Sequence, residues 1–249
     1  MPTPNLQHLT APAAPWVSVL FVATTLLTAA LLVRLVRRAK AATAPWLVGI
    51  GLWLALQAAL AGTGFYQQRL QQLPPRLALL GILPPTVGLA YVLLSQRGRA
   101  FISRLRLPGV TGLSIVRVPV EIVLYALVGE QLVPEVMTFA GRNFDIVAGL
   151  TAPVAAYAYA RGWLGRRGLL VWHVAALGLL LNIVVLAVLA APSPLQRLAL
   201  EQPNVAVLHF PFAWLPAFVV PVVLLTHLAA LRQLWGGGQG RGNRHSPLK

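Results

Sequence analysis

Cysteine is absent from the 249 residues, acidic residues number only five, and lysine occurs just twice, at Lys40 and Lys249. Without cysteine there is no disulfide framework, no thiolate nucleophile and no thiolate metal site. With lysine confined to two positions between or beyond the apolar runs, no amine is left inside a span for a retinal Schiff base. Charged residues make up 10% of the chain, against about 25% in soluble domains, and this shortage excludes a soluble globular fold. The five histidines are His8, His173, His209, His227 and His245. No two lie within one helical turn, which removes the paired-histidine motif of membrane metallohydrolases. Phosphate-loop and dinucleotide-binding fingerprints are missing as well.

What is present is apolar: 57% of residues are hydrophobic and the mean hydropathy is +0.73. Period-two alternation is lacking and alanine and leucine dominate, so the expected fold class is all-α, a polytopic membrane helix bundle, and not a barrel. Apolar windows predict seven spans at 16–36, 45–64, 77–95, 110–129, 137–160, 169–190 and 205–231, each long enough for a hydrocarbon core of about 30 Å. One transmembrane domain over 1–235 is expected, followed by a disordered basic cytoplasmic tail over 236–249.

The net charge of +15 would suggest nucleic acid in a soluble protein; here it carries topology. Of the 20 basic residues, 15 follow spans one, three, five and seven: Arg34 to Lys40, Arg97 to Arg106, Arg161 to Arg167, and Arg232 to Lys249. The opposite loops hold Arg69, Arg76 and Arg197 together with Glu130, Glu135 and Glu201. Because basic loops are retained in the cytoplasm, the N-terminus is expected outside and the C-terminus inside. The expected setting is a cell membrane, the inner membrane of a bacterium, with the lipid bilayer as partner and no nucleic acid.

Ionisable groups at membrane depth cost about 2.5 to 3.5 kcal/mol on insertion scales, so the few present are the candidate site. Arg117, Glu121 and Tyr125 follow one another at intervals of four on span four, which predicts one shared face and an ion pair between Arg117 and Glu121. Span five opens on Gly141-Arg142-Asn143-Phe144-Asp145, where Arg142 and Asp145 are expected to pair and to join the span-four charges. The same residues also read as a capped helix start beside an interfacial arginine. Asn182 on span six lies at the depth of Glu121, as interhelical glue or as part of the site.

Span seven carries His209, Trp214, Pro211, Pro216 and Pro221, and span three carries Pro84-Pro85. Each proline inside a helix frees the carbonyl four residues earlier, so those of Val207, Phe212 and Ala217 need water, side chains or a ligand. The alternatives are a simple kink and a broken-helix site of the kind transporters use. His173 and His227 are placed near the cytoplasmic face, where haem ligation is geometrically open but interfacial histidines beside Trp172 are the expectation; no cofactor and no metal are expected.

At Arg117-Val118-Pro119-Val120-Glu121, Gly141-Arg142-Asn143-Phe144-Asp145-Ile146 and Phe210-Pro211-Phe212-Ala213-Trp214-Leu215-Pro216, the chain resembles a family of uncharacterised bacterial seven-helix membrane proteins. That resemblance covers spans four to seven and implies no activity. Pro119-Val120-Glu121 is also similar to the Pro-x-Glu element of membrane-bound carotenoid cyclases, whose doubled glutamate is broken here by Ile122.

Three functions follow in order of expectation. The first is binding or transport of a small polar solute or ion, with Arg117, Glu121, Tyr125, Arg142, Asn143, Asp145, Asn182, His209 and Trp214 as the site. A structural or accessory subunit comes second. The third is a membrane enzyme acting on a lipid or isoprenoid, whose charged pocket should open sideways to the bilayer.

Overall fold

The computed structural model describes residues 4–236, so the tail expected over 236–249 lies, apart from Gly236, outside the described residues. Those residues fold as an all-helical protein with no strand. Helix α1 (Pro15–Arg38) starts on Pro15, whose fixed φ suits a first helical position, and α2 (Ala44–Gly62) likewise has Pro45 in its first turn. A π-helical turn at Ala78–Ile82 runs into α3 (Leu83–Leu94). The chain then bends by 81° into α4 (Gln96–Arg104). Ser95 makes that bend by accepting the Gly98 N–H at 3.0 Å. A side chain at Gly98 would strike the Val92 carbonyl at 2.1 Å.

Helices α5 (Leu107–Gly112) and α6 (Arg117–Gly129), joined by a 3-10 turn, form one 23-residue apolar rod. Helix α7 is Asp145–Ala160, α8 is Arg166–Ala190, and α9 (Val220–Gly236) continues a second π-helical turn at Leu215–Val219. Among the described residues, five helical segments are long and apolar enough to cross a membrane, or six if the bent pair of α3 and α4 counts as one span.

Two predicted spans need correction. The stretch 137–160 is helical only from Asp145, leaving 16 residues, about 24 Å at 1.5 Å per residue. Its first part is a hook of turns, in which Asn143 N–H reaches Thr138 O at 3.1 Å and Arg142 N–H reaches Val136 O at 3.2 Å. Gly141 is required inside the hook, because a Cβ there would lie 2.4 Å from Glu135 O. The stretch 205–231 is helical from Leu215 to Gly236. Before it, a short 3-10 turn at Ala206–Leu208 and an extended His209 precede Pro211, which has no N–H with which to carry a helix on.

Helix α6 packs between α1 and α7, and α8 lies along α9. Helix α2 buries little of itself and is tied on by polar bonds to carbonyls: Trp53 Nε1 to Ala217 O at 2.9 Å and Gln57 Nε2 to Leu80 O at 3.1 Å. In the other direction, Trp214 Nε1 donates to Leu54 O at 2.9 Å. Pro221 and Pro84 stand four residues after Ala217 and Leu80. Two carbonyls deprived of helical partners are thus satisfied by side chains of α2.

The two ends of the bundle are tied by different sets of bonds. Arg166 donates to the carbonyls of Gln233 and Leu234, Arg232 to Leu93 O, and Gln233 to Ile102 O and Leu105 O. Together these bonds bring Arg166 of α8 and Arg232 of α9 to the same end of the bundle as the end of α3 and the arginine-rich α4. At the other, Glu130 accepts the Ala14 N–H at 3.0 Å, and Gln202 donates to Val128 O and Val133 O.

Candidate functional site

Buried charge collects where α6 crosses α7. Gly149 permits the approach: a Cβ there would sit 2.8 Å from Val118 Cγ2 and 2.9 Å from Val118 N. Four residues back along α7 (about 6 Å), Asp145 meets the Arg117 guanidinium side-on, through Nε and Nη2 on its two carboxylate oxygens. Both side chains are fully buried, so the pair is desolvated and each charge depends on the other. Arg117 Nη2 also donates to Ala176 O of α8 at 2.9 Å.

On the fourth side of Arg117 is a line of neutral groups. Its Nη1 faces His227 Nε2 at 3.4 Å, His227 Nδ1 meets His173 Nδ1 at 2.9 Å, and His173 Nε2 meets Thr111 Oγ1 at 3.0 Å. The Thr111 hydroxyl donates to Leu107 O at 2.9 Å. Arginine can only donate and a carbonyl can only accept. Those two ends assign every proton between them: His227 carries its proton on Nδ1 and His173 on Nε2. Both imidazoles are fully buried, unlike the interfacial histidines expected, and their facing nitrogens are in contact with each other.

Glu121, one turn beyond Arg117, does not pair with it. Its Oε1 accepts from Asn143 Nδ2, which also donates to Met137 O at 3.0 Å. Asn143 Oδ1 accepts the Asp145 N–H at 3.1 Å and so fixes the start of α7. Glu121 Oε2 has no hydrogen-bond partner among the described residues, although Glu121 is 1% exposed.

Glu121 also lines a cavity of about 120 Å³. Arg117, Glu121 and Asp145 are its charged members, and the rest of the lining is apolar. Val120 and Leu124 come from α6, Leu180 and Ile183 from α8, and Val219 and Val223 from the last span. Both π-helical turns contribute, through Ile82 and through Leu215 and Pro216. Such turns recur at functional sites because they displace side chains from the regular helical ladder. All the lining residues that keep surface outside the bundle are apolar, among them Ile82, Val184, Val188, Leu215 and Pro216.

The remaining sequence candidates lie elsewhere. Arg142 is exposed and does not pair with Asp145; its backbone is what is engaged, the N–H by Val136 O at 3.2 Å and the carbonyl by Asn182 Nδ2 at 2.9 Å. Asn182 is exposed too, and acts as the glue between α8 and the hook before α7. Tyr125 is 52% exposed and stacks on Phe139 at 4.9 Å. Eight residues rotate a helix through about 800°, which is 80° past two full turns, and so the spacing that kept Glu121 inward carries Tyr125 out. His209 ties Leu9 O at 2.7 Å and Gln67 at 3.3 Å. Trp214 is bonded to α2. Neither lines the cavity.

Missed by the sequence reading were Thr111 and the partnership of His173 with His227, residues 54 apart on separate helices. Their shared depth was the only available signal. No group of three or more His, Cys, Asp or Glu able to hold a metal occurs among the described residues.

A family model described as a domain of unknown function, DUF8737, matches residues 74–235. The chain belongs to this family. The matched region holds every residue of the buried charge cluster and both π-helical turns, and leaves out α1 and α2. No curated protein and no solved structure matches the chain.

Proposed function

We propose that this DUF8737 member is a multi-pass protein of a cell membrane, bacterial in setting, that binds or carries a small molecule taken from the bilayer into the cavity in front of Glu121. In this reading seven helical segments enter the membrane, the short α7 among them, with the N-terminus outside. The gathering of basic helix ends on one face and Glu130 on the other supports that orientation.

The observation that carries the ligand reading is Glu121 Oε2, buried and unpartnered, on a residue lining a cavity whose other charged members, Arg117 and Asp145, are paired with each other and whose remaining lining is apolar. A buried polar atom without a partner costs about 1 to 3 kcal/mol, and a bound molecule offering one hydrogen bond removes that cost. The sequence alone favoured a small polar solute or ion. An apolar lining with apolar residues at its outer edge favours a membrane-soluble ligand instead, because a hydrated ion finds almost nothing there to replace its water.

Val184→Trp fills the cavity edge without touching the charge cluster. Organic extraction of the wild-type protein, purified in mild detergent, is expected to release a small molecule approaching one per chain, and the Val184→Trp protein is expected to release several-fold less. Equal amounts from both would remove the cavity from the account.

A further inference from the structure

Resting on the cavity reading above, we infer that the ligand is an amphiphile whose head is a hydroxyl group, a long-chain alcohol, with the hydroxyl on Glu121 Oε2 and the chain running out past Val184 and Val188.

Three observations combine. Of the side-chain polar atoms on the three charged lining residues, Glu121 Oε2 is the one left without a partner among the described residues, because Arg117 is engaged with Asp145, Ala176 O and His227, while Glu121 Oε1 is held by Asn143. A single free atom calls for a head with a single polar group. Second, that atom belongs to a carboxyl, which accepts when ionised and donates when protonated. A hydroxyl serves in either case, since it both donates and accepts. An ammonium head can only donate, and it would bring a second cation beside Arg117. A carboxylate head can only accept, and would stand beside Asp145 with Arg117 already taken.

Third, the size is right for a head but not for a whole lipid. A volume of about 120 Å³ is a few times the ~30 Å³ share of one water, enough for a hydroxyl and the first carbons of a chain. The rest of the molecule must leave through the edge of the cavity. Val184 stands six residues before the end of α8, about 9 Å below it, so a chain passing it enters the bilayer interior directly.

The test uses four photoreactive C16 probes that differ only in the head: alcohol, primary amine, carboxylic acid and plain hydrocarbon. Each is crosslinked to the full chain in lipid nanodiscs, and labelling of the peptides around Val184 and Leu215 is read by mass spectrometry. The alcohol is expected to label about tenfold more than the other three, the worth of one hydrogen bond. Glu121→Gln keeps the shape and presents an amide in place of the acid; alcohol labelling is expected to stay within a few-fold of wild type. Glu121→Leu is expected to bring the alcohol down to the level of the hydrocarbon.

Preference for the amine, lost in Glu121→Gln, would overturn the inference in favour of a cationic head. Equal labelling by all four would overturn the head assignment while leaving the cavity as a site for apolar chains. No labelling of those peptides by any probe would overturn the cavity reading itself. Should Glu121→Leu fail to fold, the order of heads on wild type and Glu121→Gln decides alone.

Discussion

Arg117 and Asp145 form a buried ion pair in which each side chain neutralises the other. Removing one member strands a charge, at about 3 to 5 kcal/mol. Arg117→Ala and Asp145→Ala are therefore each expected to lower the melting temperature in detergent strongly, and the double variant to melt well above the level that adding the two losses gives. Arg142→Ala, on an exposed side chain, is expected to change stability by no more than about 0.5 kcal/mol. Strict additivity of the Arg117 and Asp145 variants would show that they do not interact. The sequence reading singled out both residues but paired Arg117 with Glu121 and Arg142 with Asp145, whereas the structure pairs Arg117 with Asp145. Spacing of three or four along a chain is visible in a sequence, whereas the angle at which α7 leaves its hook and meets α6 is not.

Tyr66 tells the same story outside the spans. Its hydroxyl donates to Gln57 Oε1 at 2.6 Å, and burial pushes its pKa up to about 12. A raised native value means that the unfolded chain loses this proton first, near pH 10. Stability from this group is complete below that pH and is lost as the pH rises from about 10 towards 12. Thermal melts across that interval are expected to fall less steeply for Tyr66→Phe than for wild type; identical slopes would assign the loss to other groups.

At the scale of whole elements, the prolines were legible as breaks, but what fills the breaks was not. Trp53 and Gln57 reach Ala217 O and Leu80 O from α2, a helix whose own sequence gives no hint that it braces two others. Trp53→Phe keeps the ring and removes the donor, leaving a carbonyl unpaired at a cost of about 1 to 3 kcal/mol. Gly149 has the opposite role, since its lack of a side chain lets α6 and α7 touch. Gly149→Ala is expected to destabilise by about 1 to 3 kcal/mol, as overpacking does. It should also make the Arg117→Ala loss smaller, because separating the helices weakens the ion pair in advance. A Gly149→Ala protein as stable as wild type, with an unchanged Arg117→Ala effect, would mean that the contact is not needed. The boundaries of α7 and the last span were misread for a related reason: Met137, Phe139, Ala140 and Phe144 carry apolar character through the hook, and 205–214 is as densely apolar as a helix, so a hydropathy window runs on past both true helix starts.

For the molecule as a whole, the apolar runs carried the all-helical fold class, since a segment in lipid has to satisfy its own backbone, and the charge asymmetry carried the proposed orientation. A reporter active only in the cytoplasm is expected to be active when fused after Gly236 and silent in the loop at Gln72; the reverse would invert the proposed orientation. The cavity could not be read from the sequence, because it is assembled from α6, α8 and two π-helical turns far apart in the chain. In the proposed function its carboxyl is reached through apolar surroundings, and reagent access tests that proposal most directly. Intact membranes are treated with either diisopropylcarbodiimide, which partitions into lipid, or a charged water-soluble carbodiimide, and the adducts are mapped by mass spectrometry. Glu121 is expected to be modified by the lipid-soluble reagent alone, with Asp145 spared because Arg117 holds both of its oxygens. Modification of Glu121 by the water-soluble reagent, or by neither, would contradict a bilayer-facing site.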